Sequence, residues 1–261
     1  MDKFDDCLLS VVPYPLSIMT PDWQLPPGVD RGLWDYVSSE RVAREYDVAL
    51  AGTALLDFDV RFAQEHFPSP GKLIDLGCGT GRLLVHFARR GFDCLGVDLS
   101  ETMLEEARRK AEAEFLRIEF LQANLVELDA LPSATFDYAA CLFSTLGMIR
   151  GSANQTRFLG HVRRILKPGG RFVLHAHNAG YKFGLGLGRR GTEPGDRTMP
   201  QARGGADLTI HHFAKAELLA ALSTLGLRVE TFEPVTTEGR LRFPWVLPGC
   251  RAYGFLVVAT I

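Results

Sequence analysis

The hydrophobic positions change period along the chain. Between residues 31 and 67 they recur at helical spacing, with Leu33, Trp34 and Val37 followed by Val42, Tyr46, Ala49 and Leu50, then Leu55, Leu56, Phe58, Val60 and Phe62. From residue 72 short apolar runs alternate with amphipathic segments. The runs predict strands over 72–76, 93–99, 117–123, 136–143, 171–177, 227–233 and 253–261, and the segments predict helices over 81–90, 101–114, 153–166 and 214–225. Ser100 reads as the N-cap of the second of these helices, with Glu101, Glu105 and Glu106 near its start and Arg108, Arg109 and Lys110 in its later turns. Pro168 and Gly169 end the third. Such alternation predicts an α/β fold, a doubly wound, mainly parallel seven-stranded sheet with helices on both faces. The last two strands have no helix between them and predict an antiparallel hairpin at one edge.

The punctuation "FPSPG" (67–71) divides the chain. Residues 1–70 form an N-terminal arm and helical cap, the arm being the proline-containing stretch 1–30 with Trp23, and residues 71–261 form the α/β domain. Within that domain a glycine-rich, basic section, 178–206, follows the fifth strand. It carries Lys182, Arg189, Arg190, Arg197 and Arg203 against Glu193 and Asp196. It reads as an insertion acting as a substrate lid, with Arg189 and Arg190 as cations for an anionic group, or as a solvated loop.

Composition narrows the partners. A formal net charge of −2 provides no global field toward nucleic acid or anionic membrane. No apolar stretch approaches the roughly 20 residues needed to span a bilayer, and the acidic start "MDKFDD" does not read as a signal peptide. The five cysteines (Cys7, Cys78, Cys94, Cys141, Cys250) are scattered, with no C-x-x-C. That predicts neither a disulfide framework nor a zinc site, and a cytoplasmic address.

The chemistry is concentrated in "LIDLGCGTGRLLVHF" (73–87), where the first strand turns into a helix. Gly77, Gly79 and Gly81 let the backbone, with Cys78 within it, turn tightly and approach a ligand; without one, they would form a tight turn only. The spacing is one residue shorter than the G-x-G-x-x-G of dinucleotide-binding turns. Asp75 stands two residues before the first glycine, where a carboxylate would repel pyrophosphate but suits a cationic amine. Asp98 ends the second strand, 23 residues on, where a carboxylate can accept from both hydroxyls of a ribose. An adenosine that carries an amino acid and no phosphate matches this set of groups.

With these residues the sequence resembles the class I S-adenosylmethionine (SAM)-dependent methyltransferases. "LIDLGCGTG" resembles the family's first motif and "GVDLS" its ribose-binding acid, while "LQANL", "FDYAACLFSTLG" and "ILKPGGRFVLH" resemble its later motifs. The resemblance covers about residues 40–261 and makes 71–261 a SAM-binding domain. It implies SAM as cofactor, S-adenosylhomocysteine (SAH) as product, and contacts from Asp75 and the Gly77–Gly81 backbone to the amino acid moiety. It further implies that Asp98 binds the ribose and that Leu99 and Met103 pack on the adenine. Asn124, where many members have Asp, would accept from the adenine N6 amine, and the Leu125 N–H would donate to N1. Leu142 and Phe143 would line the pocket beneath the sulfonium, and Tyr46 would be a lid over the cofactor or a core residue.

"HAHN" (175–178) adds a second constellation. His175 and His177 alternate and so share one face of a strand, and Asn178 lies just past its end. With His211 and His212 they suggest a metal site or a base; without an acid or cysteine at ligand spacing, no metal is expected. His177 is the candidate general base and Asn178 a substrate contact. The expected activity is methyl transfer to a small molecule. The alternatives are tRNA methylation, which the scarcity of aromatics in 178–206 disfavours, and SAM binding without transfer. The sequence leaves the acceptor, the methylated atom and the oligomeric state open.

Overall fold

A computed structural model of the protein describes residues 20–182, 189–190, 193–199, 206–240 and 248–261, with only the backbone at Arg189, Arg190 and Pro248. Three helices form the cap, α1 (Arg31–Val37), α2 (Glu40–Leu50) and α3 (Ala54–His66). The Asp30 side chain accepts from the Leu33 N–H and the Ser39 side chain from the Val42 N–H, so α1 and α2 each begin on an N-cap.

The α/β domain then runs β1 (Lys72–Leu76), α4 (Arg82–Ala88), β2 (Asp93–Asp98), α5 (Glu101–Ala113), β3 (Ile118–Gln122), β4 (Phe136–Cys141), α6 (Thr145–Met148), α7 (Ser152–Ile165) and β5 (Leu166–His177). After it come β6 (Arg189–Arg190), β7 (Asp196–Met199), β8 (Leu208–His211), α8 (Lys215–Thr224), β9 (Arg228–Thr236), β10 (Gly239–Arg240), α9 (Pro248–Arg251) and β11 (Gly254–Thr260). Ser100 caps α5 by accepting from the Met103 N–H, as the sequence predicts.

One sheet has the order β10-β9-β11-β5-β4-β1-β2-β3. β3, β2, β1, β4 and β5 are parallel, and β11 and β9 are antiparallel additions. The seven predicted strands are present, and a two-residue eighth, β10, folds back on β9. β11 inserts between β5 and β9, so the edge of the antiparallel part is β9 with β10. The described parts of 178–206 supply β6 and β7, and β7 pairs with both β6 and the unpredicted strand β8 in a small antiparallel sheet.

Strand alternation sorts the core onto two faces. Ile74, Leu76, Phe172, Leu174 and Ala176 pack with Phe158, Val162 and Leu218 from α7 and α8. Leu73 and Val173 pack with Phe62 from α3 and with Leu84 and Phe87 from α4. Burying each of these side chains other than Ala176 contributes about 1.5–3 kcal/mol. By the same alternation Asp75, His175 and His177 point to the second face, beneath the cap. Among the described residues no helix is long and apolar enough to cross a membrane.

Candidate cofactor cleft

The C-terminal ends of β1, β2 and β4 meet the cap around a cleft of about 1100 Å³, a volume that includes its open mouth. This is the switch point at which doubly wound sheets bind ligands. The β1–α4 turn is held from behind, because the Gly77 and Cys78 N–H groups both donate to the Val97 carbonyl, at 2.8 and 3.0 Å. Gly77 has φ +84°, and a Cβ there would lie 2.4 Å from Thr145 Cγ2. Gly79, at φ +52°, instead faces open space, with Tyr46 Cε1 4.0 Å from where its Cβ would be. The first glycine therefore serves packing, while the second keeps the floor of the cleft bare.

Asp98 Oδ2 accepts from the Gly79 N–H at 2.8 Å and Oδ1 from the Ser100 N–H at 2.9 Å. Each oxygen keeps acceptor capacity toward the cleft. Burial raises the proton affinity of Asp98, and the backbone hydrogen bonds oppose that rise. Asp75 is buried, and burial pushes its carboxyl up to about 7 against the nearby Arg82, with the Asp98 charge adding to the rise. A buried acid of this kind favours a cation as its partner. The Arg82 guanidinium donates to the Leu56 carbonyl and so ties α4 to α3.

Of the expected cofactor residues, the cleft brings together Tyr46, Asp75, Gly77, Cys78, Gly79, Asp98, Leu99, Met103, Asn124, Leu125, Leu142 and Phe143. Gly81 lies behind it, at the start of α4 against Ala107. The Cys78 thiol is pushed well above its ordinary range by burial and by the two acids, which keeps it protonated. Phe143 and Ser144 both have positive φ, 50° and 64°, at the end of β4. Such strain costs on the order of 1–3 kcal/mol per residue, and here it turns Phe143 into the cleft.

Asn124 does more than the sequence suggests. Its Nδ2 donates to the Pro27 carbonyl at 2.9 Å, and its Oδ1 accepts from the Val126 N–H at 3.1 Å, which leaves one lone pair. The residue thus pins the N-terminal segment over the cleft, where Gly28, Val29 and Leu33 add wall. Tyr36 also lines it, and burial, with Tyr46 and Asp98 nearby, raises its hydroxyl well above its ordinary range. The sequence does not single out Tyr36, because α1 reads as an ordinary packing helix. Its position ten residues before Tyr46, on the same cap, is the only sequence signal.

The remaining candidates lie elsewhere. Asn178 is spent on structure, with Nδ2 donating to the Gly249 and Ala252 carbonyls at 3.1 and 2.8 Å and Oδ1 accepting from the Gly180 N–H at 2.9 Å. Both amide hydrogens are thus engaged, while Oδ1 keeps one lone pair for a substrate contact. His177 does not line the cleft. It is buried in a cluster with His175, His212 and Tyr253, and its backbone N–H donates to Ser144 Oγ at 3.1 Å. Arg189 and Arg190 lie on β6, and their side chains fall outside the described residues. His211 contacts Asp196 at 3.0 Å and Glu217 at 2.8 Å. No group of three or more His, Cys, Asp or Glu is arranged to hold a metal ion among the described residues.

Comparison with known proteins places this geometry. The family model described as "Methyltransferase domain" matches residues 73–170. The ubiquinone biosynthesis O-methyltransferase of Acinetobacter baylyi is 32% identical over 179 residues, covering 68% of this chain and 71% of that protein. The demethylmenaquinone methyltransferase of Thermus thermophilus is 37% identical over 108 residues, covering 41% of this chain and 47% of that protein. The chain thus spans less than two thirds of several curated relatives that it matches. Its fold is similar to that of a Burkholderia thailandensis 1,6-didemethyltoxoflavin-N1-methyltransferase solved with that compound and SAH, with a TM-score of 0.62 at 21% identity over 87% of this chain and 85% of that one. On the glycine turn, its two acids and these matches, the chain belongs to the class I SAM-dependent methyltransferases.

Proposed function

We propose that the protein transfers a methyl group from SAM to a small-molecule acceptor, leaving SAH. The observation that carries this reading is the convergence of buried Asp75, backbone-held Asp98 and bare Gly79 on one cleft. Their chemistry fits an adenosine with a cationic amino acid and no phosphate. Asp75 would pair with the ammonium, the Gly77–Gly79 backbone would approach the amino acid moiety, and Asp98 would accept from the ribose hydroxyls. Leu99, Met103 and Leu125 would flank the adenine, with the remaining lone pair of Asn124 Oδ1 toward its amine. Tyr46 and Tyr36 would close over the cofactor as part of the cap.

When bound, SAM supplies a methyl already activated on a sulfonium. The chain's task is then to orient the acceptor and exclude water, an arrangement that supplies about 7–11 kcal/mol in well-oriented reactions. Phe143 would form the wall beside the methyl, His177 would act as base where the acceptor still holds its proton, and Arg189 and Arg190 would serve on a lid over 178–206. The quinone-pathway names of the relatives support a small acceptor.

Methyl transfer from isotopically labelled SAM into a cell extract separated into small molecules, RNA, protein and lipid tests this reading, with Asp98→Ala as control. The expected result is label in the small-molecule fraction, absent with the variant. Label in RNA would favour nucleic-acid methylation, and SAM binding with no label in any fraction would favour a binding protein.

A further inference from the structure

β3 is an edge of the large sheet and pairs with β2, and among the described residues no strand pairs with its outer side. The Ala123 N–H donates inward, to the Asp98 carbonyl at 3.0 Å. By the alternation of a strand, Ile118, Phe120 and Gln122 therefore turn their own N–H and C=O groups outward. Such an edge is a template for another strand, and proteins guard it with charge, proline or a bulge. β3 contains no proline, and its register with β2 runs without a shift. The charges at this edge, Arg117 and Glu119, are of opposite sign.

The two faces of β3 are unlike. Ile118 and Phe120 pack with Leu84 and Leu104 of α4 and α5, and the Arg108 guanidinium lies 5.9 Å from the Phe120 ring. Arg117, Glu119 and Leu121 alternate onto the opposite face. The chain runs from β3 to β4 without a helix, so no crossover helix covers that face at the edge. Leu121 is half-buried there against the first core, while Arg117 and Glu119 are exposed. Neither of the two charges has an ion pair among the described residues. Just before them Phe115 is 96% exposed, at φ +55°, a backbone region that few aromatic residues adopt. The edge thus combines unpaired backbone groups, two unpaired charges and an unpacked aromatic ring.

We propose that two copies of the chain join through β3, antiparallel about a twofold axis at Ile118. Each Ile118 then exchanges two N–H···O bonds with its copy, and Leu116 stands opposite Phe120. Arg117 of each copy faces Glu119 of the other, which makes two cross-strand ion pairs. Phe115 stands opposite Leu121, where its ring finds apolar surface. Charge complementarity selects a second copy as the occupant. The strand reads cation, apolar, anion, and its own antiparallel copy presents the complement. Placing the axis at Arg117 or Glu119 would set a charge against itself, and at Phe120 it would leave both charges without partners. The interface is isologous and closes at two chains, with one continuous sheet across the pair.

Sedimentation equilibrium of the full chain tests this, and a reversible dimer is the expected result. Arg117→Glu and Glu119→Arg should each weaken it by about tenfold or more, since each sets like charges opposite one another at two places. Both changes in one chain exchange the charges and should restore the dimer to within about threefold of the wild type. Mixing the two single variants gives one strand with two carboxylates and one with two guanidinium groups. A heterodimer of wild-type strength should then form, although each variant alone associates weakly. Phe115→Ser should weaken the dimer with the charges intact. Melting curves check that the variants fold, and both charges lie on the surface. A wild-type monomer at every concentration up to about 100 μM overturns the inference. So does a dimer that both single variants leave intact, or a mixture of them that fails to associate.

Discussion

Asp98 and Gly79 are joined by a 2.8 Å hydrogen bond from the Gly79 backbone N–H to Asp98 Oδ2, so the acid that ends β2 fixes the turn that follows β1. The same carboxyl is the proposed ribose acceptor. Asp98→Ala therefore removes two ligand bonds and one brace of the turn. With charge-assisted bonds contributing about 1.5–3 kcal/mol each, SAH affinity should fall at least ~100-fold by calorimetry. Asp98→Asn keeps the shape and one acceptor oxygen and should lose less.

The two glycines of the turn should fail differently. Gly77→Ala places a methyl 2.4 Å from Thr145 Cγ2 at φ +84° and should lower the melting temperature sharply, by an overpacking cost of about 1–3 kcal/mol plus backbone strain. Gly79→Ala meets nothing closer than Tyr46, so it should fold with about 1 kcal/mol of left-handed strain. Its methyl would project onto the floor of the cleft, and SAH binding should weaken more than stability. Equal melting losses for the two variants would contradict this assignment.

Asp75 sets a pH dependence. Its folded carboxyl titrates near 7, raised by burial from the ordinary carboxyl range. A raised acid favours the protonated fold, so its contribution to stability is fully present below about pH 4 and is lost as pH rises through about 7. Asp75→Asn should therefore raise the melting temperature of the ligand-free protein, with the gain growing between about pH 4 and 7 and levelling above. SAH affinity should move the opposite way. In the wild-type protein it should increase as pH rises toward 7 and Asp75 ionises, and in the variant that rise should vanish.

Tyr46 distinguishes a lid from a core residue. It is half-buried at the edge of the cleft, and burial pushes its hydroxyl up to about 12. α2 is anchored to the turn independently, through Thr80 Oγ1 donating to Asp47 Oδ1 at 2.7 Å and through the Lys110–Asp47 pair. Tyr46→Ala should therefore cost little in melting temperature and about tenfold in SAH affinity, and Tyr46→Phe should cost little in either. A large melting loss with unchanged binding would assign Tyr46 to the core.

Much of this arrangement was legible in the sequence because it is local. The period change at residue 72, the three glycines and the acids at 75 and 98 all act within single strand–turn–helix units. The alternation of His175 and His177 likewise placed both rings on one face. What escaped depends on contacts distant in sequence. Asn178 stands at the predicted strand end, yet its partners Gly249 and Ala252 lie more than 70 residues away. The small sheet includes the two-residue strand β6, and no period marks a strand so short. Asp57 and Asp59 sit two residues apart on one helix, the first exposed and the second fully buried against His175. Only the packing of α3 on β5 tells them apart.

The most direct measurement is calorimetric titration of the protein with SAH, alongside NAD as a competing dinucleotide and with Asp98→Ala as control. Saturable one-to-one binding of SAH, lost in the variant and absent for NAD, is the predicted result. No SAH binding by the folded wild-type protein, or binding that Asp98→Ala leaves unchanged, would contradict the assignment of this cleft.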